Sequence, residues 1–209
     1  MKLICLFIFL MPHFLMYGQS VNDSPLSAYS AEWNKEEYNK CNTASDITYL
    51  SAEEKEVIYI LNLVRLYPLL FVKTVLTKYP SVSDKVYLLK DKKYYMSLIK
   101  TLNEMAPQKV FNVYKLCYES AFCHAVESGK KGYTGHDRLN KKCEDKRYYM
   151  GECCDYGNSE PLEIVLSLLI DEAVPSLGHR KILLGNYSQI GLSIKPHKKY
   201  ETNTVIDLW

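Results

Sequence analysis

The sequence predicts an α+β domain, in which helices flank a small antiparallel sheet. Apolar residues recur with a helical period in several stretches between residues 51 and 171, whereas 187–194 and 202–209 alternate like strands. The chain has 209 residues, of which 47% are apolar and 24% charged, so it is long enough for one domain with a core of ordinary size.

The first predicted helix begins at Ser51, because the order Ser51-Ala52-Glu53-Glu54 is that of a capping box. A wide apolar stripe follows, and Pro68 ends or restarts the helix. Further helices are expected over 69–75 and 94–105, with a loop over 80–84.

A longer helix is expected over 113–128, with Gly129 as its stop. Residues 132–157 show no convincing helix and are predicted to form a long loop, which carries His136, Glu152 and three cysteines. Long loops inside a compact domain are usually functional or cross-linked.

The last third of the chain begins with Pro161, which opens a helix to about Asp171. Ser176 is placed to cap a short helix that carries His179. The two strand-like stretches at the end, joined by residues 195–198, are predicted to form an antiparallel hairpin.

Residues 1–18 are expected to be a signal peptide. Residues 3–11 are an unbroken apolar run too short to span a bilayer, and Gly18 supplies a small residue at the expected cut. A retained membrane anchor is the alternative. With the leader removed, the protein is expected to be exported, to the periplasm, the cell surface or the medium, and not to be an integral membrane protein. Residues 19–46 are polar and are expected to form an extended N-terminal lead-in.

Export makes the cysteine count informative. One of the seven cysteines, Cys5, lies in the leader, and the even number left favours disulfides in an exported protein. Cys153 and Cys154 are adjacent and point apart, so we expect Cys143 to pair with one of them and close the loop that carries Glu152. A zinc–thiolate site is the alternative, but the chain has no C-x-x-C pair.

Two Gly-His pairs give the strongest chemical signal. Gly135-His136 and Gly178-His179 flank a Gly151-Glu152 step, and imidazole and carboxylate are well suited to bind a divalent cation or move a proton near neutral pH. Two imidazoles with one or two carboxylates would leave a metal position open for water. From spacing alone, a plainer interpretation is favoured, in which each histidine caps a helix or satisfies a buried hydrogen bond. His124 is interpreted as a packed residue.

The order of these stretches resembles the CAP superfamily (SCP-like proteins, which include cysteine-rich secretory, antigen-five and pathogenesis-related proteins), in a bacterial-type member. The resemblance covers about residues 49–209, and a closing strand at 190–192 also fits. The five motifs that carry it, in order, are Leu61-Asn62-Leu63-Val64-Arg65, Ala121-Phe122-Cys123-His124-Ala125, Gly132-Tyr133-Thr134-Gly135-His136, Gly151-Glu152-Cys153 and Gly178-His179-Arg180.

The resemblance implies an α-β-α sandwich over residues 47–209, with a cavity lined by two histidines and two acids. In this chain the cavity residues would be His136, Glu152, His179 and Asp171. Glu172 rivals the last of these, because the tryptophan that precedes the second acid in the family is missing. Cys153 stands where the family usually has asparagine, and residues 76–110 look like an insertion.

Superfamily members are implied to bind sterols, lipids, metals or protein partners more often than to catalyse a reaction. The leading hypothesis is a secreted ligand-binding or interaction module for a lipid, a small molecule or a protein, with a divalent metal, zinc being the candidate, on His136, Glu152 and His179. One alternative is a zinc-dependent hydrolase with Glu152 as general base. The other is a disulfide-stapled extracellular structural domain. A formal net charge of +2 gives no argument for a nucleic acid partner.

Overall fold

The computed structural model describes residues 23–82 and 91–209. The protein is mixed α and β, with 50% helix, 14% strand and a small four-stranded sheet. The predicted leader, residues 1–18, lies outside the described residues, and so does the end of the predicted loop over 80–84. A short helix, Tyr79–Val82, replaces the start of that loop.

The helices largely follow the predicted periodicity. Two 3-10 helices come first, Ala31–Asn34 and Glu36–Cys41, and a π-helical turn lies further along the chain at Val72–Leu76. The α-helices are α1 (Ala52–Leu66), α2 (Pro68–Phe71), α3 (Tyr79–Val82), α4 (Lys92–Glu104), α5 (Lys115–Lys131), α6 (Lys141–Asp145), α7 (Pro161–Ile170) and α8 (Gly178–Leu183). Among the described residues no single helix has the length and composition to cross a membrane, although the stretches Ala52–Leu66 and Pro68–Val82, bent by 108°, meet that criterion as a pair.

The sheet is mixed rather than purely antiparallel, which corrects the sequence prediction. Its strands are β1 (Asn112–Val113), β2 (Gly151–Tyr156), β3 (Gln189–His197) and β4 (Glu201–Leu208), in the spatial order β1-β3-β4-β2. The predicted hairpin of β3 and β4 is confirmed, and β2 adds antiparallel to β4. The exception is β1, whose two residues pair parallel with β3 and are too few to give a periodic signal.

Helices cover both faces of the sheet. α5 packs across β3 and β4 on one face, whereas α1 and α7 pack together on the other. Gly191 in β3 allows the close approach of α5, since a Cβ atom there would collide with the backbone of Cys117 and Tyr118. The main core lies between the sheet and α1, α4 and α7.

The capping box of Ser51 and Glu54 is present at the start of α1 as predicted. Further along α1, two polar side chains, Asn62 and Arg65, hold the loops around the helix. Asn62 donates to the Phe111 carbonyl and accepts from the Phe111 N–H at 2.7 Å. The buried guanidinium of Arg65 donates to the carbonyls of Lys109, Leu183, Gly185 and Tyr187. Both belong to the first motif of the CAP resemblance, and here both serve the architecture.

Part of the predicted extended lead-in, residues 19–46, is folded. Its described part, from residue 23, carries the two 3-10 helices, and Leu26, Trp33 and Cys41 are fully buried in the main core. The Trp33 indole N–H donates to Thr74 Oγ1 at 2.9 Å. The prediction failed because the apolar residues of this segment are sparse and lack a regular period, although the large ones Leu26 and Trp33 are fully buried.

The predicted long loop over 132–157 contains both a helix and a strand, α6 and β2. The strand was missed because its first five residues are all buried, so that polar and apolar residues do not alternate along it. Ser176 does not cap the helix that carries His179. Instead, Asp171 Oδ2 accepts from the N–H groups of His179 and Arg180 at the start of α8.

The predicted pairing of Cys143 with Cys153 or Cys154 is wrong. The disulfide joins Cys123 of α5 to Cys143 of α6. The strand geometry of β2 explains the error, since it holds both Cys153 and Cys154 inside the sheet layer, where they are buried free thiols. Cys41 and Cys117 are also free and buried.

Candidate functional site

The candidate site is built around β2, which is an edge strand. It pairs with β4 on one side, and within residues 23–82 and 91–209 no strand pairs with its other edge. Side chains alternate between the two faces of a strand. Cys154 packs on Ala121 and Ala125 of α5, whereas Cys153 belongs to the core on the opposite face. Glu152 therefore shares the α5 face with Cys154, and Asp155 shares the other face with Cys153.

On the α5 face, Glu152 contacts two basic side chains. Its Oε1 lies 2.8 Å from His136 Nδ1, and its Oε2 accepts from Arg138 at 2.5 Å. The side chains of Glu152 and Arg138 are buried, whereas that of His136 is 56% exposed. The predicted residues His136 and Glu152 are thus in direct contact, and Arg138, which the sequence analysis did not single out, completes the cluster.

A second buried carboxyl lies beside this cluster. Asp207 stands opposite Glu152 in the β2–β4 register, with Oδ2 3.6 Å from Arg138. Burial, and then the charge of Glu152, raise the pKa of Asp207 well above its ordinary value. Burial acts to raise the pKa of Glu152 as well, but hydrogen bonds from His136 and Arg138 outweigh it and the pKa falls. The direct partners of Glu152 thus favour its ionised form, whereas burial favours the protonated form of Asp207.

His124, interpreted from the sequence as a packed residue, is buried next to Glu152. Its Nε2 lies 2.9 Å from the Gly135 carbonyl, and its Nδ1 has no hydrogen-bond partner among the described residues. Burial lowers the pKa of His124, so the neutral ring is favoured. The ligand atoms of His124, Glu152 and Cys154 all lie within 4.8 Å of one another, a grouping that could hold a metal ion.

On the other side of the site, His179 pairs with Asp171. His179 Nδ1 lies 2.8 Å from Asp171 Oδ1, and the N–H of His179 donates to Asp171 Oδ2 at 3.0 Å. Asp171 ends α7 in the left-handed conformation, with φ of 57°, which turns its carboxylate toward the start of α8. Aspartate tolerates that conformation better than most residues. Glu172, the rival for this position, makes none of these contacts.

A groove of about 510 Å³ runs between β2, α7 and the loop before α8. Asp171 and His179 line it, whereas His136 and Glu152 do not. The structure thus brings the four predicted cavity residues together as two pairs, His136 with Glu152 and His179 with Asp171. Metal binding by His136, Glu152 and His179 stays a prediction.

Asp155 is the acid of this groove that sequence reasoning missed. It is buried, and Asn158 Nδ2 donates to both of its carboxylate oxygens at 3.0 Å. Burial raises the pKa of Asp155 to about 6, even though hydrogen bonds from Ser167 and Asn158 and the nearby His179 oppose the shift. The only signal in the sequence was its position three residues after Glu152, which is informative only once β2 is recognised as a strand.

No family model, curated protein or solved structure matches this chain with significant similarity. The likeness to the CAP superfamily therefore rests on the order of the motifs in the sequence. Arg65, His136, Glu152 and His179, which belong to those motifs, all make specific contacts in the fold. Their contacts define two places where a ligand could be held, namely the groove and the buried cluster next to α5.

Proposed function

We propose that this chain is an exported CAP-type binding domain that takes a small amphipathic ligand in the groove beside β2. The observation that carries the proposal is the groove itself. Its volume of about 510 Å³ falls in the range of about 300–1,000 Å³ typical of small-molecule sites. Export rests on the leader-like residues 1–18, and the CAP assignment on the motifs given above.

The lining of the groove indicates the chemistry of the ligand. Apolar contact comes from Leu168, Ile170 and Val174, which suits an aliphatic or ring body. Three carboxyl groups lie in the same groove, those of Asp155, Asp171 and Glu172. They disfavour a ligand that carries a carboxylate or a phosphate, because like charges repel at short range. A hydroxyl or amine end fits instead, so among the ligand classes implied by the resemblance a sterol is favoured over a fatty acid.

The test is a titration of the chain with dehydroergosterol, a naturally fluorescent sterol, and with cis-parinaric acid as a fluorescent fatty acid. We expect saturable binding of the sterol and much weaker binding of the acid. Val174→Trp fills the groove and should weaken sterol binding by at least about tenfold. Leu116→Trp, at an exposed position outside the groove, is the matched control and should bind like the parent. Absence of sterol binding by the parent, or equal binding by the two variants, would contradict the proposal.

The hydrolase alternative has less support. A general base works best when its pKa lies near the working pH. The pKa of Glu152 is instead lowered, and both of its oxygens already have partners in His136 and Arg138. Zinc-dependent hydrolysis that disappears in Glu152→Gln would nevertheless revive it. The structural-domain alternative is weakened by the groove, and among the described residues only one disulfide, Cys123–Cys143, supports it.

A further inference from the structure

Four metal-competent side chains converge between α5 and the face of β2 that it covers. His124 comes from α5, His136 from the loop after it, and Glu152 and Cys154 from β2. His136 Nδ1 lies 2.8 Å from Glu152 Oε1 and 3.8 Å from Cys154 Sγ. His124 joins the same group, since its ligand atom lies within 4.8 Å of those of Glu152 and Cys154. The three mutually close residues are therefore His124, Glu152 and Cys154, and His136 adjoins two of them.

The hydrogen bonding of the His124 ring is independent evidence that this cluster binds a ligand. His124 is 1% exposed, and the only hydrogen bond of its ring among the described residues joins Nε2 to the Gly135 carbonyl. A carbonyl can only accept, so Nε2 carries the proton and Nδ1 holds a free lone pair. That lone pair is buried with no partner among the described residues. A hydrogen bond from the other ring nitrogen to a backbone carbonyl is also the arrangement that orients metal-binding histidines.

We propose that this cluster binds one Zn²⁺ or a similar borderline transition-metal ion through His124, Glu152 and Cys154, with His136 Nδ1 drawn in as the fourth ligand. A donor set of two imidazoles, one thiolate and one carboxylate suits such an ion, whereas Ca²⁺ and Mg²⁺ need oxygen ligands throughout. Four protein ligands leave no position for water, so the site is structural rather than catalytic. It ties α5 and the loop after it to β2.

Ion binding requires two local changes. The S–H bond of Cys154 is replaced by a bond from sulfur to the metal, and the thiol proton leaves to solvent. The hydrogen bond between His136 and Glu152 is replaced by one metal bond to each residue, and the proton on His136 Nδ1 also leaves. Arg138 remains on Glu152 Oε2, the oxygen that the ion does not need. The two negative ligands neutralise the charge of a divalent ion.

This ligand set differs from the predicted set of His136, Glu152 and His179. His179 pairs with Asp171 at the groove, whereas His124 and Cys154 lie against Glu152 on the α5 face of β2. The inference is also independent of the proposed sterol function. Failure of the groove to bind a sterol leaves it unaffected.

The experiment is a titration of the chain with Co²⁺, followed by displacement with Zn²⁺. We expect one ion per chain, with sulfur-to-cobalt charge-transfer absorption and the visible bands of tetrahedral Co²⁺. Cys154→Ser should abolish the charge-transfer band. The matched control is Cys153→Ser, which changes the neighbouring buried free thiol on the opposite face of β2 and should keep the band.

Two further variants decide between the ligand sets. His136→Ala, at a half-exposed side chain whose loss leaves the core intact, should weaken Zn²⁺ binding by at least about 100-fold, because loss of even an outer-shell partner costs about 10–100-fold. His179→Ala should bind Zn²⁺ like the parent. The proposal is overturned if the parent gives no charge-transfer band, if the band survives in Cys154→Ser, or if His179→Ala abolishes binding. If Cys154→Ser does not fold, unchanged binding by His136→Ala overturns it.

Discussion

Glu152 and Asp155 are two buried acids three residues apart on β2, and their environments have opposite effects. Glu152 faces α5, where Arg138 and His136 lower its pKa. Asp155 faces the groove, where its direct partners, Asn158 and Ser167, are neutral, and its pKa rises to about 6. Burial acts to raise both pKa values. Direct contact with the cation Arg138 therefore accounts for the difference. Glu152 has this contact and its pKa is lowered, whereas Asp155 lacks it and its pKa rises toward neutral pH.

The largest expected effect comes from removing that cation. Arg138→Met leaves the buried carboxylate of Glu152 with one exposed partner, and Asp207 beside it. Breaking a buried ion pair on one side typically costs about 3–5 kcal/mol of the free energy of unfolding, and we expect a loss in that range at pH 7. Urea unfolding measures it.

Arg147→Met is the matched control for this prediction. Arg147 pairs with Glu144 at the surface, where both side chains are about half exposed, so we expect a change within about 0.5 kcal/mol. Similar losses for the two variants would mean that Arg138 does not neutralise a buried charge.

The next effect concerns the groove acid and its dependence on pH. Because the pKa of Asp155 is about 6 when folded and near 3.8 when unfolded, the folded state retains the proton to higher pH. Its contribution to stability is thus fully present below about pH 3.8 and is lost as the pH rises through about 6. The loss amounts to about 3 kcal/mol.

Asp155→Asn should remove this decline, and urea unfolding between pH 4 and pH 7 measures it. Asp145→Asn, at an exposed position, should keep the decline of the parent. If Asp155→Asn declines between pH 4 and pH 7 as steeply as the parent, Asp155 is not the titrating group.

The smallest effect is expected at His136. Its hydrogen bond to Glu152 raises its pKa, so the stabilisation is present below about pH 6.5 and is lost as the pH rises through the raised value. Because the side chain is 56% exposed, His136→Ala should cost at most about 1 kcal/mol at pH 5.5 and less at pH 8.5.

Thermal unfolding of His136→Ala at the two pH values checks this. Lys141→Ala, which removes a surface pair with Asp145, should show no such difference. If His136→Ala lost more stability at pH 8.5 than at pH 5.5, the raised pKa of His136 would be contradicted.

Local signals predicted the parts of the fold that depend on neighbouring residues. The capping box at Ser51 and the hairpin of β3 and β4 are examples, since each is encoded within one short stretch. β2 could not be predicted in this way, because it is a strand only through its pairing with β4, about 50 residues later. The disulfide from Cys123 to Cys143 was missed for the same reason, as its partners meet only after α5 and α6 are placed.

The candidate site shows the same division. The contact of His136 with Glu152 and that of His179 with Asp171 involve residues that the motifs had selected. The residues that set their chemistry were not predicted, because they act through three-dimensional proximity. Asp207 reaches Glu152 across the β2–β4 register, and Cys154 reaches its neighbours through the pleat of the strand.

The long-range hydrogen bonds of Arg65 determine how late in synthesis the core around α1 can be completed. Three of the carbonyls that Arg65 binds belong to Leu183, Gly185 and Tyr187, which lie 118, 120 and 122 residues further along the chain. Helix α1 leaves the ribosome early, yet the partners of its buried guanidinium exist only once residues 183–187 have been made. Contacts of such long sequence separation form slowly. A nascent chain that stalls before Leu183 therefore lacks these partners and exposes an incomplete core, and chaperones would recognise it at that stage.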